Sequence, residues 1–337
     1  MKNKKNLIVG IGSALVDILA QEDDHFITRS GAVRGGMQLV EHERIESLFS
    51  QLSGGHKVVP GGSACNTVLG VGRLGGSARF VGKCGDDDFG ELFRRSLSSH
   101  AVEPALFSSE KPTGRVLSII TPDAQRSMLT YLGASAETAP EEVESGVFNG
   151  ASIVHVEGYL VFNRKLLERT LVAAKEAGAR ISLDLASHNV VMENRDYVTG
   201  LVSDFVDILI ANEDEAEAYT GLRDEAEALE KLAEKAAVAA LKLGPRGSMI
   251  KAEGRVVVVK ARGDGSALDT TGAGDLWAAG FLYGMAQGLD LAKCGELGSA
   301  CGHEVCQVVG AHIPDEGWKR IRSLLPELYD TETHITA

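Results

Sequence analysis

The stretch Asp269-Thr270-Thr271-Gly272-Ala273-Gly274-Asp275 places a carboxylate at each end of a loop whose centre is nearly bare backbone. The apolar run Leu276-Trp277-Ala278-Ala279-Gly280-Phe281-Leu282 follows it and can propagate as a helix. Small residues entering a helix leave unpaired N–H groups facing outward, and the helix dipole adds partial positive charge there. Such a terminus suits a phosphate or another oxyanion. A carboxylate on the same turn cannot help to bind an anion, so Asp275 reads as a proton acceptor rather than a phosphate ligand. An anion hole beside a base is the equipment for phosphoryl transfer to a hydroxyl.

Other polar residues stand out against apolar surroundings. Asp17 is the only charge between Leu7 and Ala20. A carboxylate at the end of a buried strand must be paired or face a ligand, since burying it alone is costly. It is either a cap or ion-pair partner, or a bidentate acceptor for two adjacent hydroxyls of a ribose or polyol. Pro60-Gly61-Gly62-Ser63-Ala64-Cys65-Asn66 sets two glycines and a serine before a helix that Asn66 opens. This is either a tight turn with a cap or a place where a ligand approaches the backbone, with Asn66 able to donate and accept. Asn212-Glu213-Asp214-Glu215 follows the apolar Ile208–Ile210. Oxygen donors at a strand's C-terminal end suit a hydrated Mg²⁺, and acids at a helix start also suit the dipole. Leu243-Gly244-Pro245-Arg246-Gly247-Ser248 is a glycine-bearing turn between two strands. Arg126 lies in a hairpin, either solvated or able to reach a transferring phosphoryl group once the hairpin closes.

Two further patterns mislead. Gly70-Val71-Gly72-Arg73-Leu74-Gly75 matches the dinucleotide fingerprint, but a helix precedes it and the strand-like Ala78-Arg79-Phe80-Val81 follows, the reverse of the required order. Cys301-x-His303-x-x-Cys306 falls in an apolar helical stretch with no second cluster, so it reads as packing rather than a zinc site. No G-x-x-x-x-G-K-[ST] occurs, which disfavours a P-loop NTPase.

The elements that must position these residues follow from periodicity. Leu7 to Gly12 reads as a buried strand. Val116–Thr121 and Ser127–Leu132 flank the Pro122-Asp123-Ala124-Gln125 turn as a hairpin. From about residue 150, strands at 153–156, 181–183, 208–210 and 238–243 alternate with helices at 164–177 and from Glu213. This alternation argues an α/β fold with a mostly parallel sheet and helices on both faces. The short alternating segments at 14–42 and 104–133 form an antiparallel appendage, read as a lid inserted in a single domain spanning 1–337. The tail after Pro326 is expected to be loosely attached.

Bulk properties exclude several classes. Formal net charge is −13 over 337 residues, which argues against a nucleic-acid partner. The five cysteines form no C-x-x-C pair, in keeping with a reducing, cytoplasmic location. The basic start Met1-Lys2-Asn3-Lys4-Lys5 precedes an apolar run, but Asp17 interrupts that run and no cleavage pattern follows, so it is not read as a signal peptide. No segment reaches the roughly 18 apolar residues of a spanning helix, so no membrane partner is expected.

With these motifs gathered, the chain resembles the PfkB family of carbohydrate and nucleoside kinases, on the signatures Gly61-Gly62 through Asn66 to Gly75-Gly76 and Asp269–Asp275, with Asn212-x-x-Glu215 and Gly244-x-x-Gly247 in the family's order. The resemblance implies the ribokinase-like fold: three α/β/α layers around a mostly parallel sheet, with a small antiparallel β lid. It implies that Asp275 is the base and that Gly272, Ala273 and Gly274, with the Asp275 N–H, form the anion hole for the γ-phosphate, with Arg126 added from the lid. Asp17, Gln38, Leu39, Gly61, Gly62, Ser63 and Asn66 would hold the acceptor. Asn212, Lys242, Gly244, Gly247, Thr270 and His303 would lie along ATP, although many relatives carry threonine where Lys242 stands. Asn212 and Glu215 would organise Mg²⁺ through water. Within the family, Gln125–Ala134 and Gly302-His303 resemble adenosine kinases, which implies adenosine or a related nucleoside as acceptor. A free sugar such as ribose or fructose is the alternative, and an NAD-dependent dehydrogenase or a non-catalytic purine-binding regulator more remote ones. The partners implied are ATP and a small-molecule acceptor, in a monomer or homodimer.

Overall fold

The computed structural model describes residues 6–123 and 125–325. The basic start and the tail after Pro326 lie outside that range. Its strands are β1 (Leu7–Ile11), β2 (Leu15–Gln21), β3 (Met37–Leu39), β4 (His56–Gly61), β5 (Ala78–Gly85), β6 (Val102–Ser109), β7 (Gly114–Ile120), β8 (Arg126–Tyr131), β9 (Ala151–Glu157), β10 (Arg180–Asp184), β11 (Ile208–Asn212), β12 (Val238–Lys242), β13 (Ser248–Ala252) and β14 (Arg255–Val259).

Nine strands make one sheet in the order β14-β13-β12-β11-β10-β9-β1-β5-β6. All pairings from β12 to β6 are parallel, and only the β12–β13 and β13–β14 pairings are antiparallel. Parallel strands must be covered on both faces, and their sequences read as unbroken apolar runs. Side chains alternate between two cores. Ile8, Ile208 and Ile210 pack with the helices Ser63–Arg73, Ala273–Gln287 and Leu291–Cys306. Val9, Leu209 and Ala211 pack on the other side with Arg164–Glu176 and His188–Phe205. The result is the three-layer α/β/α arrangement expected.

The small sheet runs β3-β8-β7-β2-β4. β2–β4 and β7–β8 are antiparallel, while β2–β7 and β3–β8 are parallel. Its membership differs from the expected 14–42 and 104–133 in two ways. β4 joins it, because the chain before Gly61 must run back alongside β2, and β6 belongs instead to the edge of the large sheet. Ile18, Leu117, Ile119 and Leu129 point to one face, where Phe26, Ile45 and Leu48 cover them. By the strand's two-residue period, Asp17, Ser118, Arg126 and Met128 point to the other.

The apolar run from Leu7 is not one strand. It breaks at Gly12-Ser13-Ala14, so Asp17 sits within β2 of the small sheet rather than at the end of β1. The helix expected to open at Asn66 opens three residues earlier, at Ser63, with Gly62 at φ +96° as its cap.

Candidate active site

Four neighbouring parallel strands end in polar residues: β9 in Glu157, β10 in Asp184, β11 in Asn212 and β12 in Lys242. The C-terminal edge of such a sheet is where ligands enter, because helix N-termini converge there. The helix Ala273–Gln287 starts at this edge, capped by Gly272 in the left-handed region at φ +72°. A Cβ on Gly272 would come within 2.5 Å of Ala311, which adds a packing reason for glycine.

Asp275 lies in the first turn of that helix and is held from the neighbouring helix. Ser63 Oγ donates to its Oδ1 at 2.7 Å and Asn66 Nδ2 to its Oδ2 at 2.9 Å. Thr67 Oγ1 donates to its main-chain carbonyl at 3.1 Å. Burial raises the Asp275 pKa above the ordinary carboxyl value, and the bonds from Asn66 and Ser63 oppose that rise. The carboxylate is thus aimed by two donors and set at the positive end of a helix.

At the opposite end of the loop, Asp269 accepts from the N–H and hydroxyl of Thr271 at 2.9 and 2.7 Å and from the Gly310 N–H at 2.8 Å. Burial alone would raise its pKa, but those bonds outweigh it and the group is lowered. Asp269 therefore shapes the loop that Gly272 caps, while Asp275 is held by side chains of the neighbouring helix.

Asp17, only 7% exposed, has its carboxyl pushed up to about 6, chiefly by burial, with the Arg126 guanidinium pulling it down and Asp275 raising it further. Gly61 makes room for it: a Cβ there would sit 2.5 Å from Asp17 Oδ1. Arg126 donates to Ser118 Oγ at 2.8 Å and stands 3.9 Å from Asp269, while its buried Nε and Nη1 have no hydrogen-bond partner among the described residues. A guanidinium with spare donors facing two carboxylates is poised for an anionic ligand.

A cavity of about 440 Å³ adjoins the start of the helix and is lined in part by Asn212, Lys242, Gly244, Gly247, Thr270, Ala273, Gly274 and His303. All the residues expected along the nucleotide thus share one cavity with Ala273 and Gly274 of the expected anion hole. No group of three or more His, Cys, Asp or Glu side chains among the described residues is arranged to hold a metal ion.

A scan of known families matches residues 49–317 to the pfkB family of carbohydrate kinases. The chain belongs to that family. Among solved structures, a probable sugar kinase from Rhizobium etli superposes with a TM-score of 0.86 at 32% identity, covering 95% of this chain and 98% of that one. The adenosine kinase from Sinorhizobium meliloti gives 0.85 at 35% identity, covering 94% and 98%. The guanosine-inosine kinase of Escherichia coli is 30% identical over 231 residues, 64% of this chain but only 53% of that protein's length.

Within this pfkB-family chain the other expected site residues sit as follows. Gln38 falls in register with buried Leu129, on the covered face of the small sheet, and its Oε1 accepts from the Val33 N–H at 2.7 Å. That face is the one turned away from Asp17 and Arg126. Met37 and Leu39, on the alternate face, are the exposed side chains there, Leu39 at 65%. Asn212 and Glu215 form a closed capping box: Glu215 accepts from the Asn212 N–H and Nδ2, both at 2.8 Å, and donates its own N–H to Asn212 Oδ1 at 2.9 Å. Glu215 does not line the cavity. Lys242 does, and it is bound to Asp184 at 2.9 Å.

The reading of the sequence missed Glu157 and Asp184. Glu157 accepts from the N–H of Ser13 at 2.8 Å and of Ala64 at 3.1 Å, clipping the chain after β1 to the start of the helix that carries Ser63 and Asn66. Burial pushes its carboxyl up to about 7 against the pull of those two bonds. Both residues end apolar runs as lone charges, the signal that marked Asp17.

Proposed function

We propose that this chain transfers the γ-phosphoryl group of ATP to the hydroxymethyl group of a nucleoside, adenosine first among them. The observation that carries the reading is the Asp275 carboxylate, fixed by Ser63 and Asn66 in the first turn of a helix whose N-terminus opens onto a nucleotide-sized cavity.

The acceptor hydroxyl approaches Asp275, which takes its proton as the oxygen attacks phosphorus. The backbone N–H groups of Gly272 to Asp275 receive the charge that spreads over the phosphoryl oxygens, a stabilisation worth most in a site that excludes water. Burial raises the Asp275 pKa above the ordinary carboxyl value, which favours proton acceptance in the transition state. Asp17 and Asn66 orient the acceptor's hydroxyls, and Arg126 brings positive charge from the small sheet. Such positioning converts a bimolecular encounter into a unimolecular step, the larger part of catalysis in this reaction class.

Mg²⁺ would neutralise charge on the nucleotide phosphates. Because Glu215 is committed to Asn212, the donors here suit an ion that keeps its own waters, with Asn212 and Glu215 ordering those waters rather than ligating it.

The nucleoside assignment draws support from the segment Gln125–Ala134, which resembles adenosine kinases, and from the likeness to the Sinorhizobium enzyme at 35% identity. The exposed Met37 and Leu39 offer apolar surface suited to a flat base. A sugar acceptor is the second reading, favoured by the Rhizobium sugar-kinase likeness at 32%. A coupled assay of ADP release with adenosine, inosine, guanosine, ribose and fructose separates them. The expected outcome is turnover with adenosine at a kcat/KM at least about tenfold above ribose, a discrimination of about 1.4 kcal/mol. Turnover with a sugar alone would reject the nucleoside assignment while leaving the kinase reading intact.

A further inference from the structure

Lys242 is the last residue of β12, and its side chain is largely buried at the edge of the cavity. Its Nζ donates to Asp184 Oδ2 at 2.9 Å, in a pair whose side chains are only 13% and 7% exposed. Asp184 is held in turn by the Ala186 N–H at 2.9 Å from its Oδ1, in a turn where Ala186 adopts φ +63°. A Cβ built on Gly274 would lie 3.1 Å from Lys242 Nζ. The ammonium therefore stands beside the second residue of the helix Ala273–Gln287, at the anion hole itself. Lys242, Ala273 and Gly274 line the same cavity. An ammonium carries three hydrogens, and Asp184 is its one hydrogen-bond partner among the described residues, so two remain to be given.

Packing alone is a weak reason for this pair. Burying two charges carries a desolvation cost that their attraction need not repay, and an apolar pair often does as well. A buried ammonium with unused donors, touching the space where a phosphate must sit, has a chemical reason to be there. We propose that Lys242 is a catalytic residue: its ammonium completes the anion hole by donating to the phosphoryl group in transit, and Asp184 is the positioning residue that holds it beside Gly274. This rests on the phosphoryl-transfer reading given above.

In the step, a bond forms between the acceptor oxygen and phosphorus while the bridging oxygen–phosphorus bond to ADP breaks. The electron pair of the broken bond stays on the β-phosphate oxygen of ADP, and the acceptor's proton passes to Asp275. Lys242 keeps all its protons and contributes charge alone, as a point cation rather than a fork. Its attraction grows as negative charge moves over the phosphoryl oxygens, so it favours the transition state over bound ATP. Gly274 is bare because both the ammonium and the phosphate need its surroundings.

The test compares Lys242→Met with the double variant Lys242→Met/Asp184→Asn, which removes both charges and leaves no unpaired carboxylate to disturb folding. Binding of ADP and of ADP with aluminium fluoride, a mimic of the transferring phosphoryl group, is titrated for each by calorimetry beside kcat and the KM for ATP. Both variants are expected to lose about 10²–10³ in kcat and a similar factor in aluminium-fluoride affinity, with ADP affinity and the KM for ATP within about fivefold of wild type. Recovery of kcat in the double variant, or an equal loss of affinity for ADP and for its aluminium-fluoride complex, would overturn the proposal by making Lys242 a structural partner or a plain nucleotide anchor. A wild-type protein that turns over through Asp275 but not through Lys242 sinks this inference alone. One that phosphorylates none of the acceptors sinks the underlying reading as well.

Discussion

At the scale of single residues, the site is a set of carboxylates kept in different states by their surroundings. Asp269 is stabilised as an anion by the N–H groups of Thr271 and Gly310, and Asp184 by Lys242. Asp17 accepts no hydrogen bond among the described residues, and burial outweighs the pull of the Arg126 guanidinium and pushes it from 3.8 to about 6. A folded-state pKa above the unfolded one means that the folded protein binds the extra proton between those values. The contribution of Asp17 to stability is therefore greatest below about pH 4, falls as pH rises to about 6, and stays unfavourable above that. Asp17→Asn should accordingly flatten the loss of stability between pH 4 and 7 and stabilise the protein at pH 7 by about 2–3 kcal/mol. The same variant should raise the KM for the acceptor at least about tenfold. Urea unfolding at both pH values reads the first effect and initial rates the second. An unchanged pH slope would mean that Asp17 is solvated or paired in the folded protein. A stabilising change that damages binding is what a functional carboxylate in a poor solvent environment implies.

At the scale of elements, two helix starts face each other across the site. The helix Ser63–Arg73 brings Ser63 and Asn66, and Ala273–Gln287 brings Asp275. Gly62 sets the first of these. Its φ of +96° excludes side chains, and a Cβ would fall 2.2 Å from the Ser13 carbonyl oxygen. Gly62→Ala should therefore move the helix start, with a stability cost of about 1–3 kcal/mol for the backbone conformation and a loss of kcat of at least about tenfold as the two donors leave Asp275. Thermal unfolding and turnover check this. Gly75→Ala, also at positive φ but with nothing within 4 Å of its Cβ, should cost stability without touching kcat.

Much of this scale was legible in the sequence. The apolar runs that became β1, β9, β10, β11 and β12 announced themselves because parallel strands are buried on both faces. Asp275, Ser63 and Asn66 stood beside glycines at recognisable helix starts. What was not legible depended on pairing partners far along the chain. The break after Ile11 is dictated by Glu157, whose carboxylate leaves no room for a side chain on Gly12. The facing of Gln38 depends on its register with Leu129, and a one-residue slip inverts which side chains look into the site. The pairing of β4 with β2 likewise needs the sheet itself.

At the scale of the whole molecule, the site exists only because two sheets meet. The large sheet supplies the strand ends with Glu157, Asp184, Asn212 and Lys242, and the small sheet contributes Asp17 from β2 and Arg126 from β8. Arg126 faces the large sheet through Asp269 and the small one through Ser118, so it spans the seam with donors to spare. A kinase acting on a small hydroxyl must keep water from the phosphoryl group, and under the proposed function the small sheet, with its exposed apolar Met37 and Leu39, is the part suited to that.

The central claim is that Asp275 accepts the proton of a nucleoside hydroxyl during phosphoryl transfer, and one measurement addresses it most directly. Turnover of ATP and adenosine is followed by chromatographic detection of ADP and the nucleoside monophosphate, for wild type and for Asp275→Asn, alongside calorimetric binding of each substrate. Asparagine keeps the shape and leaves Ser63 and Asn66 a partner, so folding and binding should persist while kcat falls by about 10²–10⁴. An Asp275→Asn protein that binds both substrates and turns over within about threefold of wild type would contradict the account.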